Sequence, residues 1–105
     1  SPLFGRDYKA TDIRVIDGDT IHATLYLGLD TYKRVRVRLL GVSTPEWNEQ
    51  GGSEATAFLQ KLIDEGEGVI VHIPEEKYSF RRILGHVTID GAMVSDSIRE
   101  AGHAQ

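Results

Sequence analysis

Two carboxylates stand two positions apart in Val15-Ile16-Asp17-Gly18-Asp19-Thr20-Ile21, with glycine between them and β-branched residues on both sides. Asp-Gly between apolar runs is a hairpin signal, because glycine accepts the positive φ of a tight turn. A second cluster follows in Arg38-Leu39-Leu40-Gly41-Val42-Ser43-Thr44-Pro45-Glu46. There a strand carrying an arginine runs into a turn that ends on another carboxylate. Together the two segments could place Asp19, Glu46 and Arg38 around one anionic substrate.

The elements that must position these residues can be read from periodicity. Ser1 to Asp12 is polar and mixed, a lead-in that partly pairs with a sheet, and Ser1-Pro2 reads as a cloning remnant. A first strand covers Ile13 to Ile16 and turns at Asp17-Gly18. From Thr20, Ile21, Ala23, Leu25 and Leu27 alternate with polar or aromatic residues, the pattern of a half-buried antiparallel strand. Val35, Val37 and Leu39 then alternate with Arg34, Arg36 and Arg38. For Arg34 and Arg36 an ordinary solvated face is expected, whereas Arg38 adjoins the Ser43–Glu46 turn. Ala55, Phe58, Leu59, Leu62 and Ile63 recur at the spacing of a core-facing helical stripe. Ser53 is the expected N-cap, Glu54 sits favourably against the helix dipole, and Gly66 is the expected C′ residue. Val69, Val71 and Ile73 form a fourth strand, and Arg82 to Ile89 a fifth, ended by Asp90-Gly91. Met93, Val94, Ile98 and Ala101 suit a short last helix with Ser95 or Asp96 near its start and Gly102 after its end. Three strands, a helix, two strands and a helix fit a mainly β (α+β) fold, a small closed five-stranded OB-type barrel. An open α+β sheet is the alternative.

Composition bounds what such a fold could do. With 105 residues the chain has the size of one domain with a single modest core, 1–105 with 1–12 as the lead-in. The absence of cysteine excludes disulfides and thiolate metal sites. No apolar run approaches membrane-spanning length, so no membrane partner is expected, and the N-terminus carries no signal-peptide pattern. The net charge of −4 differs from the basic balance of most nucleic-acid binders. Yet four of the 12 basic residues fall in Lys33–Arg38 and three in Lys77–Arg82. Such segments can hold a phosphate locally, while long duplexes should bind weakly and with strong salt sensitivity.

In this order the segments resemble the staphylococcal-nuclease-like (thermonuclease) domain family. The resemblance runs from about Ile13 to Ala104. It is carried by the two clusters above, by Gly52-Ser53-Glu54-Ala55-Thr56-Ala57-Phe58, by Arg82-Ile83-Leu84-Gly85-His86-Val87 and by Asp90-Gly91-Ala92-Met93-Val94. It implies an OB-fold barrel and a Ca²⁺-dependent phosphodiesterase acting on single-stranded DNA or RNA, leaving a 3′-phosphate. It further implies that Asp19 is a direct ligand of the Ca²⁺ (or another divalent cation), with Asp17 beside or behind it and the Thr44 carbonyl as a further donor. Arg38 and Arg82 would hold the phosphoryl oxygens, each through two parallel hydrogen bonds. Glu46 would orient or deprotonate the attacking water.

This chain departs from the family pattern at two places. Ser43 stands where the family normally has a second aspartate ligand, and a neutral hydroxyl is a poorer ligand for Ca²⁺. The alternative is therefore a catalytically weakened OB module that binds nucleic acid or a protein partner on the same surface. The family's Lys-Tyr-Gly-Arg is here Lys77-Tyr78-Ser79-Phe80-Arg81-Arg82. Counted without a gap, Phe80 takes the tyrosine's place at a terminal phosphate; with a two-residue insertion, Lys77 and Tyr78 do. Trp47 could stack on a base or cap the barrel. The four histidines form no ligand pair at metal spacing.

Overall fold

The computed structural model describes residues 5–105; Ser1-Pro2 and the rest of the first four residues lie outside the described residues. The elements are β1 (Arg6–Asp17), β2 (Thr20–Gly28), β3 (Thr31–Leu39), α1 (Gly52–Glu65), β4 (Val69–Ile73), β5 (Tyr78–Ser79), β6 (Arg82–Ile89), β7 (Ala92–Met93) and α2 (Val94–Glu100). The main strands run β3-β2-β1-β4-β6 with antiparallel neighbours. A short parallel pairing of β3 with β6, through Val37↔Ile83, Arg38↔Leu84 and Leu39↔Gly85, closes the ring. The result is the five-stranded barrel with two helices, and the open sheet is excluded. The two-residue strands β5 and β7 are hairpin arms on β6.

Alternation fills the barrel as expected. Ile21, Ala23, Leu25 and Val37 from one side meet Val71, Ile83 and Val87 from the other. Helix α1 sets Ala55 and Leu59 into this core, with Phe58, Leu62 and Ile63 packed at its edge; α2 adds Val94 and Ile98. Truncating the fully buried Leu59 to alanine belongs to the class of change that costs about 2–5 kcal/mol.

Four local expectations change. The first strand does not begin at Ile13 but at Arg6, and Arg6 to Lys9 of the lead-in pair with β4 (Arg6↔Ile73 to Lys9↔Ile70). A register shift between Thr11 and Arg14, with Asp12 at φ 50°, breaks the alternation that would have revealed it. The α1 N-cap is Gly51 at φ 83° rather than Ser53, whose hydroxyl donates to Glu54 instead. The helix starts at Gly52, which lies so close to the Glu46 carbonyl that a Cβ would stand 1.6 Å from that oxygen. Gly66 is the extended C-cap, not a left-handed C′ residue, and a Cβ there would meet Ile89 at 2.1 Å. Arg34, finally, is not merely solvated. Its guanidinium donates to the Asp12 carbonyl and carboxylate, the Thr24 hydroxyl and the His22 carbonyl, stapling the β1 irregularity to β2 and β3.

Candidate active site

Barrel closure decides which polar side chains meet. Thr20 on β2 sits opposite Arg38 on β3, and Arg38 sits beside Leu84 on β6. Two positions back along β6, on the same face, is Arg82. Three strands thus bring residues 19–20, 38 and 82 to one patch of the barrel wall.

The β1–β2 turn carries Asp19 into that patch and buries it. Gly18 is required here for closeness rather than for a positive φ: its φ lies outside the left-handed range, and a Cβ would stand 2.5 Å from the Thr44 hydroxyl and 2.7 Å from the Ala55 methyl. Close approach lets the Thr44 amide donate to Asp19 Oδ2 at 3.0 Å, which locks the loop after β3 onto the turn. Arg38 pairs with the same oxygen at 3.3 Å and donates to the Leu39 and Val42 carbonyls at 2.5 and 2.8 Å. The other Asp19 oxygen accepts from the Thr20 hydroxyl at 3.0 Å. Thr20, 2% exposed, in turn accepts from Arg82 at 3.4 Å. One hydroxyl therefore links Asp19 to Arg82, and the chain Arg38–Asp19–Thr20–Arg82 is continuous.

The two arginines differ in what they are bound to. Arg38 is half-buried and neutralised by Asp19. Arg82 is held by the Ser79 carbonyl at 3.0 Å and the Ser79 hydroxyl at 3.4 Å, and among the described residues it has no carboxylate partner. An unneutralised, partly desolvated guanidinium attracts an anion more strongly than a solvated one would. Beside it a depression of about 260 Å³ is bounded by Arg38, Leu40, Val42, Ser79 and Leu84.

The carboxylate pair is electrostatically unequal. Burial pushes the Asp17 carboxyl up to about 6, reinforced by its hydrogen bond to Asp19 and by repulsion from that neighbour's charge. Burial also opposes charge on Asp19, but the hydrogen bonds from Asp17, the Thr44 amide and Thr20, with the Arg38 charge, outweigh it and hold that carboxyl below its usual range. Asp19 is the stronger acid of the pair.

Among the described residues no three His, Cys, Asp or Glu side chains gather as a metal set. The oxygens around the turn are nevertheless all hard: the Asp17 and Asp19 carboxylates and a buried Thr44 hydroxyl with no hydrogen-bond partner. That set fits a hard divalent cation in kind, with one carboxylate fewer than a third acidic residue would give. Ser43 is exposed, and its carbonyl accepts from the Gln105 amide at 2.7 Å.

The remaining expected residues divide. Glu46 is exposed, with its amide and carbonyl tied to Glu49, and among the described residues its carboxylate joins neither arginine. Trp47 is an exposed neighbour on the same loop. Phe80 lies at the β5–β6 tip with its ring 5.8 Å from the Arg82 guanidinium carbon. Tyr78 pairs across the hairpin with Ile83, on the face opposite Ser79 and Arg82, so it lines the neighbouring cleft instead. Lys77 is exposed, and its carbonyl accepts from the Leu84 amide. Sequence reasoning missed Thr20 and Ser79 as positioning residues. A threonine directly after the turn aspartate, on the strand facing Arg38, was the available signal.

Comparison with known proteins follows the same lines. The family described as "Staphylococcal nuclease homologue" matches residues 36–105. A protein of Escherichia coli named "Uncharacterized endonuclease" is 31% identical over 104 residues, 98% of this chain and 63% of that protein. A counterpart from Escherichia coli O157:H7 with the same name is 30% identical over the same shares. The chain thus spans less than two thirds of the length of these relatives.

Proposed function

The chain belongs to the staphylococcal nuclease family, and from that premise we propose that it hydrolyses phosphodiesters of single-stranded DNA or RNA at the Arg38–Arg82 patch. The observation that most supports this reading is the Arg82 guanidinium, held by Ser79 and Thr20 yet not neutralised, beside the Arg38–Asp19 pair. A phosphodiester is an anion, and attack by water adds charge to its oxygens towards the transition state. Donors fixed in advance and aimed at those oxygens lower that barrier without reorganising. Arg82 would take one phosphoryl oxygen directly. Arg38 would share its charge between Asp19 and the second oxygen.

Water forms the new bond to phosphorus while the bond to the 5′-oxygen breaks, leaving a 3′-phosphate. Glu46, exposed on the loop after β3, would accept the water's proton. Asp19, Asp17 and the Thr44 carbonyl, with Ser43 at the rim, would hold a divalent cation, Ca²⁺ by family analogy. When bound, that ion supplies positive charge and a more acidic water. Asp17 and Asp19 then divide the labour: Asp19 keeps its charge, and Asp17 shields it from behind.

A second reading has its own support, namely Ser43 and the fact that three protein donors already occupy Asp19. On that reading the patch binds nucleic acid or a protein partner without cleaving. Incubating the protein with denatured DNA, with Ca²⁺ and then with chelator, separates the two. Cleavage that chelator abolishes supports the hydrolase; its absence at high protein concentration leaves the binding module.

A further inference from the structure

The β5–β6 hairpin is a wall between two recesses. Ser79 lines the depression beside Arg38, with Arg82 on the same face of the hairpin, while Tyr78 and Ile83 line a larger cleft of about 430 Å³. The cleft has an apolar floor that includes Leu25, Leu27 and Ile83, and a rim with Tyr78, Lys33 and Arg81; no carboxylate lines it. It forms because β3 pairs with β6 only over Val37–Leu39, so the β2–β3 arm diverges from the hairpin below that point.

The top of the wall is Phe80-Arg81, and both residues hold left-handed backbones at φ 49° and 67°. A two-residue hairpin turn favours Asn-Gly there, and any other pair is strained. The strain displays a phenylalanine that is 91% exposed and an arginine with no ion-pair partner among the described residues. Within the chain the ring meets the Arg82 guanidinium carbon at 5.8 Å and leaves most of its surface to water. A ligand that stacks on the ring and carries negative charge gains contact there.

We propose that single-stranded nucleic acid crosses this tip. One phosphate sits at Arg38 and Arg82, the next base stacks on Phe80, the next phosphate meets Arg81, and the following base enters the cleft against Tyr78 with Lys33 at its rim. The proposal rests on the reading of the arginine patch as a phosphodiester site and adds a subsite on the far face of the hairpin. Charge complementarity and the unbroken path over the tip select this occupant. A duplex cannot present an unstacked base to a ring and a cleft in this way.

Binding of dT2, dT4 and dT8 with chelator present tests it, read by fluorescence anisotropy at low salt. The wild-type protein should gain roughly five- to a hundredfold in affinity between dT2 and dT8, the span that one stacked base supplies. Arg81→Ser should lower the slope of log K against log salt for dT8 by about 0.7, one phosphate contact. It should leave dT2 affinity and cleavage of a small phosphodiester unchanged. Phe80→Gly should weaken dT8 binding while raising the melting temperature, because glycine relieves the strained φ. No affinity gain with length, a duplex bound more tightly than dT8, or a salt slope unaltered by Arg81→Ser would each overturn the subsite. A wild-type protein that shows these length effects but never cleaves DNA would overturn the hydrolase reading and leave the subsite standing.

Discussion

Replacing Thr20 with valine removes one hydroxyl and nearly nothing else in volume. The side chain is buried, so valine's methyl occupies the place of an oxygen that donates to Asp19 at 3.0 Å and accepts from Arg82 at 3.4 Å. The first is a hydrogen bond to a charged acceptor, a class worth about 1.5–3 kcal/mol. The second is beyond the usual length and contributes little to stability. A loss of about 2 kcal/mol follows, partly offset because Asp19 keeps the Thr44 amide and Arg38. For a chain of this size that lowers the melting temperature by roughly 8–16 °C. The effect on rate has another origin. Arg82 keeps its Ser79 contacts but loses its link to the Asp19 side of the patch. About a tenfold fall in kcat, the equivalent of 1.4 kcal/mol in the barrier, is expected with little change in KM. Initial rates on a labelled single-stranded oligonucleotide well below the melting temperature measure it. Thr20→Ser, which restores the hydroxyl, should recover most of kcat. Wild-type kcat in Thr20→Val, or equal impairment in Thr20→Ser, would refute the positioning role.

Other perturbations test separate parts of the account. Gly18→Ala pushes a methyl into Thr44 and Ala55 and should cost about 1–3 kcal/mol by overpacking while lowering activity; thermal denaturation with rate assays checks both. Gly52→Ala sets a Cβ against the Glu46 carbonyl, so it should reduce stability and shift the Glu46 loop, visible as changed tryptophan emission from Trp47. Ser43→Asp adds a carboxylate next in sequence to Thr44, which holds Asp19, and should tighten Ca²⁺ binding about tenfold, because affinity follows the charge count of the ligands. Calorimetric titration reads it, and an unchanged affinity would remove Ser43 from the cation's surroundings.

How much of this was legible in the chain depends on the range of the interaction. The Asp17–Thr20 hairpin, the β2 and β3 alternation and the α1 stripe are local patterns, and they stand where expected. The first half of β1 was hidden because only Tyr8 and Ala10 are buried there and the Asp12 irregularity resets the phase. Gly18 stands in the expected turn but without the expected positive φ: its neighbour across space is Thr44, which no local pattern reveals. Arg34 likewise meets Asp12 only because three strands align. The arginine patch itself depends on the parallel β3–β6 closure, so its members could be named from the family resemblance, but their links through Thr20 and Ser79 could not.

The central claim is that Arg82 presents its charge to a scissile phosphate. Single-turnover cleavage of a single-stranded oligonucleotide by wild-type protein and Arg82→Ala, with the product ends identified, tests it most directly. The account predicts a 3′-phosphate product and a rate lowered by roughly 10²–10³ in the variant, the scale for loss of one fixed donor to a developing charge. A variant that cleaves at the wild-type rate would contradict it.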